Sequence, residues 1–254
     1  MVLTFLGTGT SQGIPVVACD CNVCQSADPR DKRLRSSAMV ESDGKRIIID
    51  CGPDFRQQML REDIRSIDAI LVSHAHKDHI GGLDDVRAFN YILQRPADIY
   101  ASREVQRAIK REFSYAFSEE KYPGVPEINL HLINNHQFNI SSLTILPVKA
   151  LHFKDHFVFG FRIGSLTYIT DAVDISEKEM KKIEGSRVIV INALRKQKHY
   201  SHFNLSEAIA ILERLKPEQG YLTHISHQMG CHEDVQKELP SFIKLAYDGL
   251  KVAI

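Results

Sequence analysis

The sequence carries no surplus charge of either sign, lysine plus arginine equalling aspartate plus glutamate at 32 each. That balance removes the global field with which a protein holds a long polyanion, so a nucleic-acid partner would need a local basic patch. No run of about 18 apolar residues occurs, which excludes a membrane-spanning helix and argues against a membrane partner. The opening Met1-Val-Leu-Thr-Phe-Leu-Gly has no basic flank, and its apolar run is too short for a secretory signal. A cytoplasmic protein is the expectation. There is no internal repeat, low-complexity tract or linker, and 254 residues suit one α/β domain covering residues 1–254.

Cysteine is scarce, with five in all, and an odd number cannot all pair as disulfides. Three of them crowd into Cys19-Asp-Cys21-Asn-Val-Cys24. That spacing is poor geometry for mutual disulfides and good geometry for thiolates around one ion. A redox pair fits Cys-x-Cys badly, and free buried thiols would not need to cluster beside Asp20 and Asn22. Cys51 and Cys231 receive no role. Histidine, by contrast, is plentiful at twelve, and it is the commonest metal ligand.

Apolar, β-rich runs bounded by Gly, Asn or Asp predict strands at Leu3 to Leu6, Arg46 to Ile49, Ala69 to Val72, Ser142 to Val148, Phe157 to Ile163 and Leu166 to Ile169. Helical patterns cover Phe55 to Arg61, Leu83 to Leu93, Ser102 to Phe113, Ser176 to Ile183 and Ser206 to Leu215, the last stopped by Pro217 and Gly220. Strands and helices alternate only part of the time. That pattern predicts two sheets packed face to face with helices outside, not one doubly wound sheet. Phe117 to Ile128 reads as a long irregular loop, either a lid or interface element or a plain connection.

One segment concentrates the chemistry. After the buried strand ending at Val72 comes Ser73-His74-Ala-His76-Lys-Asp78-His79-Ile-Gly81-Gly82. Two histidines one residue apart in extended backbone point the same way and suit one ion. Asp78 and His79, at the following turn, are free to face a second ion.

This His-x-His-x-Asp-His string resembles the metallo-β-lactamase superfamily of metallohydrolases, and the resemblance runs through essentially the whole chain. It implies a four-layer αβ/βα sandwich and three further ligands from later strand ends. His152 in Leu-His-Phe, Asp171 in Thr-Tyr-Ile-Thr-Asp-Ala and His224 in Gly-Tyr-Leu-Thr-His match them in order, with His156 the alternative to His152. By the same resemblance His74, His76 and His152 would bind one divalent ion, and Asp78, His79 and His224 a second, with Asp171 between. The His/Asp set suits zinc, manganese or iron, while thiolates select zinc. Asp50 resembles the aspartate that orients a ligating imidazole in the family, or else it simply begins a Gly-Pro turn.

A narrower likeness is to the cyclic phosphodiesterases of the carbon–phosphorus lyase pathway, where a Cys-x-Cys-x-x-Cys loop is joined by a late histidine. It implies a structural zinc on Cys19, Cys21, Cys24 and His227. Two cations sharing a hydroxide suit attack on a phosphodiester. Asp78 and His202 are the expected catalytic groups, His202 giving the leaving alkoxide its proton, with His199 as alternate. The resemblance points to a small cyclic phosphodiester such as phosphoribosyl 1,2-cyclic phosphate, whose other phosphate would want Arg56, Arg87, Arg162 or Arg195. A ribonuclease that trims tRNA 3′ ends and a thioesterase are the competing readings. A homodimer is common in the resembling group.

Overall fold

Ile47, Ile48 and Ile49 are consecutive and all fully buried, yet they serve two different cores. Side chains alternate across a strand, so Ile47 and Ile49 point one way, among Leu3, Phe5, Phe161 and Tyr168. Ile48 points the other way, towards Phe55, Met59 and Phe89. A strand apolar at every position must be covered on both faces, which places its sheet inside a layered structure. The computed structural model describes residues 1–254.

Two seven-stranded sheets form the middle layers. The first is built from β1 (Val2–Gly7), β2 (Ser37–Ser42), β3 (Lys45–Ile49), β4 (Ala69–Leu71), β5 (Ala97–Ala101), β6 (Ile128–Leu132) and the C-terminal β14 (Lys251–Ala253), in the order β14-β1-β2-β3-β4-β5-β6. The second comprises β7 (Phe138–Ile140), β8 (Leu143–Phe153), β9 (His156–Ile163), β10 (Leu166–Tyr168), β11 (Val188–Asn192), β12 (Gln219–Thr223) and β13 (Ile243–Leu245). Its order is β13-β12-β11-β10-β9-β8-β7. Val188 and Val190 of β11 enter the core between the sheets, whereas Ile189 and Ile191 pack outward with Met180 and Leu212. Helices Phe55–Arg61, Arg87–Leu93 and Arg103–Glu112 close the first sheet, and Glu177–Ile183, Leu205–Leu215 and His232–Glu238 the second. The result is the four-layer αβ/βα sandwich.

Several elements depart from their expected bounds. The helix predicted over Leu83 to Leu93 opens as a 3₁₀ turn, Leu83–Val86, before the α-helix Arg87–Leu93. The strand predicted to end at Val148 continues to Phe153, because it pairs with β9 all the way to the hairpin. Asn204 caps the helix Leu205–Leu215 through a reciprocal box with Glu207. The loop 117–128 runs beside Pro96 at the β5–β6 edge and lines a separate hollow, not the site described next. No helix is long and apolar enough to cross a membrane.

Candidate metal centre

The predicted site residues leave the strands at one end of the sandwich. β4 stops at Leu71, and His74 and His76 follow in extended backbone before the single helical turn Lys77–Ile80, which carries Asp78 and His79. That turn is tied to the end of β3: Cys51 N–H donates to His79 O, and Gly82 N–H donates to Cys51 O. A Cβ on Gly52 would lie 2.0 Å from Asp78 O, so only glycine lets the two segments approach.

Three other strand ends place their side chains by unusual backbone. Asp50 after β3, Asp171 after β10 and His224 after β12 have φ of 64°, 56° and 54°. The left-handed region costs a non-glycine residue about 1–3 kcal/mol and persists only where the surroundings enforce it. Around Asp171 the enforcement is visible, since the buried Asn192 amide both accepts from Ala172 N–H and donates to Ala172 O. His152 arrives differently. The β8–β9 register shifts between Leu151 and Phe153, and such a bulge re-aims the intervening side chain.

Two groups of donors result. His74, His76, His152 and Asp171 form one, and Asp78, His79, Asp171 and His224 the other, with the donor atoms of each group within 4.8 Å of one another. Asp171 belongs to both: its Oδ2 lies 3.7 Å from His74 Nε2 and 3.4 Å from His79 Nε2. His156 is excluded, as its exposed ring points instead to Glu104. The Nε2 atoms of His74 and His79 are buried with no hydrogen-bond partner. An orphaned buried polar atom costs about 1–3 kcal/mol, and a cation in each group would take up the one belonging to it. The nitrogen and carboxylate set therefore fits divalent metal.

Burial pushes His152 down to about 4 and His74 well below its ordinary value, the latter with His79 adding repulsion. Both are neutral at physiological pH, as ligation requires. Burial opposes charge on His79 too, but Asp78, Asp171 and Asp50 overcome it and hold that imidazole well above its usual range, so a cation binding there would displace the proton on its Nε2. Burial likewise works against an ionised Asp171, and His224 and His79 reverse it, keeping the carboxyl well below the ordinary value.

The orienting contacts are equally specific. His79 Nδ1 donates to Asp50 Oδ2 at 2.7 Å, and Asp50 also accepts from Ser73 N–H and Ser73 Oγ. His152 Nδ1 donates to the Ser201 carbonyl at 2.9 Å. Thr10 Oγ1 lies 3.1 Å from His224 Nε2, and Ser36 Oγ 3.2 Å from its Nδ1. Sequence reasoning missed Thr10 and Ser36. The glycine-punctuated Gly7-Thr-Gly-Thr-Ser loop leaving β1 was the available signal for the first, and nothing marked the second.

A second centre stands apart. Cys19, Cys21 and Cys24 place their sulfurs 3.2, 3.4 and 3.7 Å from His227 Nδ1. The ligand-to-ligand edge of a tetrahedral zinc site with these atom types is about 3.5 Å. A hydrogen bond at Cys24 lowers the Cys21 thiol to about 6, whereas burial raises Cys24 to about 11. The four residues His224 to His227 thus span the two clusters.

His202 belongs to neither donor group. Its Nε2 lies 3.3 Å from Asp171 Oδ2, while Nδ1 faces Ser201 Oγ at 2.9 Å and His199 Nδ1 at 3.2 Å. Burial pushes its pKa below the ordinary value, with Asp171 pulling the other way. A cavity of about 320 Å³ is lined by His202, Asp78, Asp171, His224 and the Thr10–Ser11 turn. None of the four candidate arginines lines it, which corrects the expectation. Arg162 is spent on the carbonyls of Lys182 and Glu184, and Arg87 pairs with Asp84. Arg195 holds Gln228 Oε1 and Lys198 O, and Arg56 borders an apolar groove with Phe55 and Met59.

The beta-lactamase superfamily domain matches residues 45–225, a span that holds His74 to His224 and both sheets' central strands. The chain belongs to the beta-lactamase superfamily. Among superfamily structures, a diphosphatase of the PhnP family superposes with a TM-score of 0.93 at 39% identity, over 100% of this chain and 97% of that one. An octanoyltransferase of Porphyromonas gingivalis is 39% identical over 98% of this chain but only 51% of its own length. Ribonuclease Z of Methanococcus maripaludis is 26% identical over 87% of this chain and 65% of its own. The chain thus spans about half to two thirds of these two curated relatives, whose names describe longer proteins.

Proposed function

We propose that this protein is a metal-dependent phosphodiesterase that opens a small cyclic phosphodiester, such as phosphoribosyl 1,2-cyclic phosphate, by hydrolysis. The observation that carries this reading is His202, buried beside Asp171 and lining the cavity while standing outside both donor groups. Two divalent ions, zinc or manganese, would polarise phosphoryl oxygens and lower the pKa of water there. The protein's own part is to hold the reacting groups. His74, His76 and His152 would take one ion, Asp78, His79 and His224 the other, and Asp171 both. Asp78 would act by binding the second ion through its carboxylate oxygens. His202 Nε2 delivers a proton to the departing alkoxide, with Ser201 and His199 fixing the ring from the far side. Cys19, Cys21, Cys24 and His227 would hold a structural zinc that anchors the N-terminal loop beside the His224 turn.

A ribonuclease Z activity has the support of the methanogen relatives. Against it stand the balanced charge and a cavity with no lysine or arginine in its wall. The deciding experiment is a panel of cyclic ribose phosphates, a pre-tRNA and an acyl thioester, offered to manganese-loaded protein. Fastest turnover of a cyclic phosphodiester is expected. Selective cleavage of the pre-tRNA or of the thioester would overturn the assignment.

A further inference from the structure

Asp248 lies in the turn between β13 and β14 and belongs to no donor group, yet its side chain is only 8% exposed. Its carboxylate collects three hydrogen bonds from two segments near the start of the chain. Thr8 donates its backbone N–H and its Oγ1 hydroxyl to Oδ1, at 2.9 and 2.7 Å, and Leu34 donates its N–H to Oδ2 at 2.7 Å. Arg33 Nη1 donates to the same Thr8 hydroxyl at 2.8 Å, which leaves that hydroxyl's proton to Asp248. Burial pushes the carboxyl above its ordinary value, while these bonds and the Arg61 and Arg33 guanidinium groups pull it down. A buried charge of this kind is weak evidence for stability, because desolvation takes back much of what its contacts contribute.

Both anchored segments run on to the main centre, and each delivers a hydroxyl two residues further along. Thr10 Oγ1 lies 3.1 Å from His224 Nε2, and Ser36 Oγ 3.2 Å from Nδ1. A cation takes one of these nitrogens, and the hydroxyl on the other fixes the plane of the ring. The segments are also locked to each other and to the residue after His224. Gly9 N–H donates to Leu34 O and Ser36 Oγ to Gly9 O, while Ile225 N–H donates to Thr8 O and Thr10 N–H to Ile225 O. A Cβ on Gly7 would lie 2.0 Å from Arg35 O, so the two backbones touch with no side chain between them. A shift of either segment is therefore passed to His224. Resting on the two-ion reading above, we infer that Asp248 is a positioning residue of the metal centre. Through Thr8 and Leu34 it sets the pose of His224, and with it the affinity of the donor group Asp78, His79, Asp171 and His224. His74 and His152 hydrogen-bond to Ser73 and Ser201 instead, so the other group is expected to be unaffected.

The test separates the two donor groups. Manganese is titrated calorimetrically into protein freed of metal at the main centre, and the binding step abolished in His224→Ala identifies the group of interest. Asp248→Asn sets an amide NH₂ against one of the three donors. It should weaken that step about tenfold, the lower end of the loss that follows removal of a ligand's own orienting partner, and leave the other step as in the wild type. Thr8→Val, of nearly the same shape, should reproduce part of the loss, and Thr8→Ser should bind as the wild type does. That pair carries the test if circular dichroism shows Asp248→Asn unfolded. Combining Asp248→Asn with Ser36→Ala should cost less than the sum of the two single losses, because both act on one ring. Both steps weakened alike, or a lowered Tm with both affinities intact, would reveal a tie that merely holds the C-terminus and would overturn the inference. A wild type lacking any step that His224→Ala removes would overturn the two-ion reading and this inference with it.

Discussion

His79 and Asp50 are both almost completely enclosed, and the imidazole donates from Nδ1 to the carboxylate across 2.7 Å. That bond fixes which nitrogen carries the proton. Nε2 is left facing Asp78 and Asp171, at 3.1 and 3.4 Å, as the nitrogen a cation would take in place of a proton. Because Asp50 also receives two hydrogen bonds from Ser73, next to His74, one carboxylate braces both donor groups.

Asp50→Asn should therefore lower metal affinity by about 10–100-fold, the usual cost of losing such an orienting partner. The amide can keep contact with Ser73 but cannot hold the same tautomer of His79 as firmly. Competition against a graded chelator series measures the change, and an affinity indistinguishable from wild type would show that Asp50 merely begins a turn.

His202→Ala should retain the metal and the fold while cutting kcat by ~10²-fold or more. Metal content by mass spectrometry and turnover of a phosphodiester with an alkoxide leaving group are the paired readouts, with bis(p-nitrophenyl) phosphate as the control. Because p-nitrophenoxide leaves readily without a proton, the loss should be larger for a substrate with an alkoxide leaving group. An equal loss on both would speak against proton donation.

Cys21→Ser should cost one tightly held zinc and a large part of the stability near the N-terminus, because binding energy at a thiolate site is folding energy. The expected result is one zinc fewer per chain and a Tm lower by several degrees, with the manganese of the other centre still exchangeable. Zinc content unchanged in both Cys21→Ser and His227→Ala would eliminate this site.

His232 supplies a pH test away from both centres. Burial, reinforced by Arg33 and Arg30 and opposed by Asp28 and Asp31, drives its pKa from 6.5 down to about 4. Its Nδ1 lies 3.2 Å from Arg33 Nη2, and its backbone N–H donates to Asp31. As pH falls below 6.5 the unfolded chain takes the proton first, while the folded protein resists until about 4. Stability is thus fully present above 6.5 and lost through this window, by about 2 kcal/mol between pH 7.5 and pH 5. Urea unfolding at the two pH values should show His232→Gln losing less than wild type by roughly that amount. Parallel losses would count against it.

The seven side chains that gather at the main site were readable because four sit in one short stretch and the others end apolar strands. The two-sheet sandwich was readable from the same strands, since Ile47 to Ile49 and Ala69 to Val72 are apolar at every position. Edge strands such as β7, β13 and β14 hold three residues each, too few to show a period. The extension of β8 to Phe153 depends on pairing with β9, which local pattern does not encode. Proximity along the chain misled for the arginines: Arg162 is nine residues from Asp171, yet its guanidinium caps carbonyls at the end of the helix Glu177–Ile183.

Asp50, Asp171 and His224 each sit where the main chain would be more comfortable as glycine or asparagine, and each is where the side chain cannot be given up. Robustness and reactivity are therefore set against each other at three fixed points of the molecule. A laboratory selection for heat tolerance alone should drift towards replacement at these positions, and its sturdiest survivors should be inert.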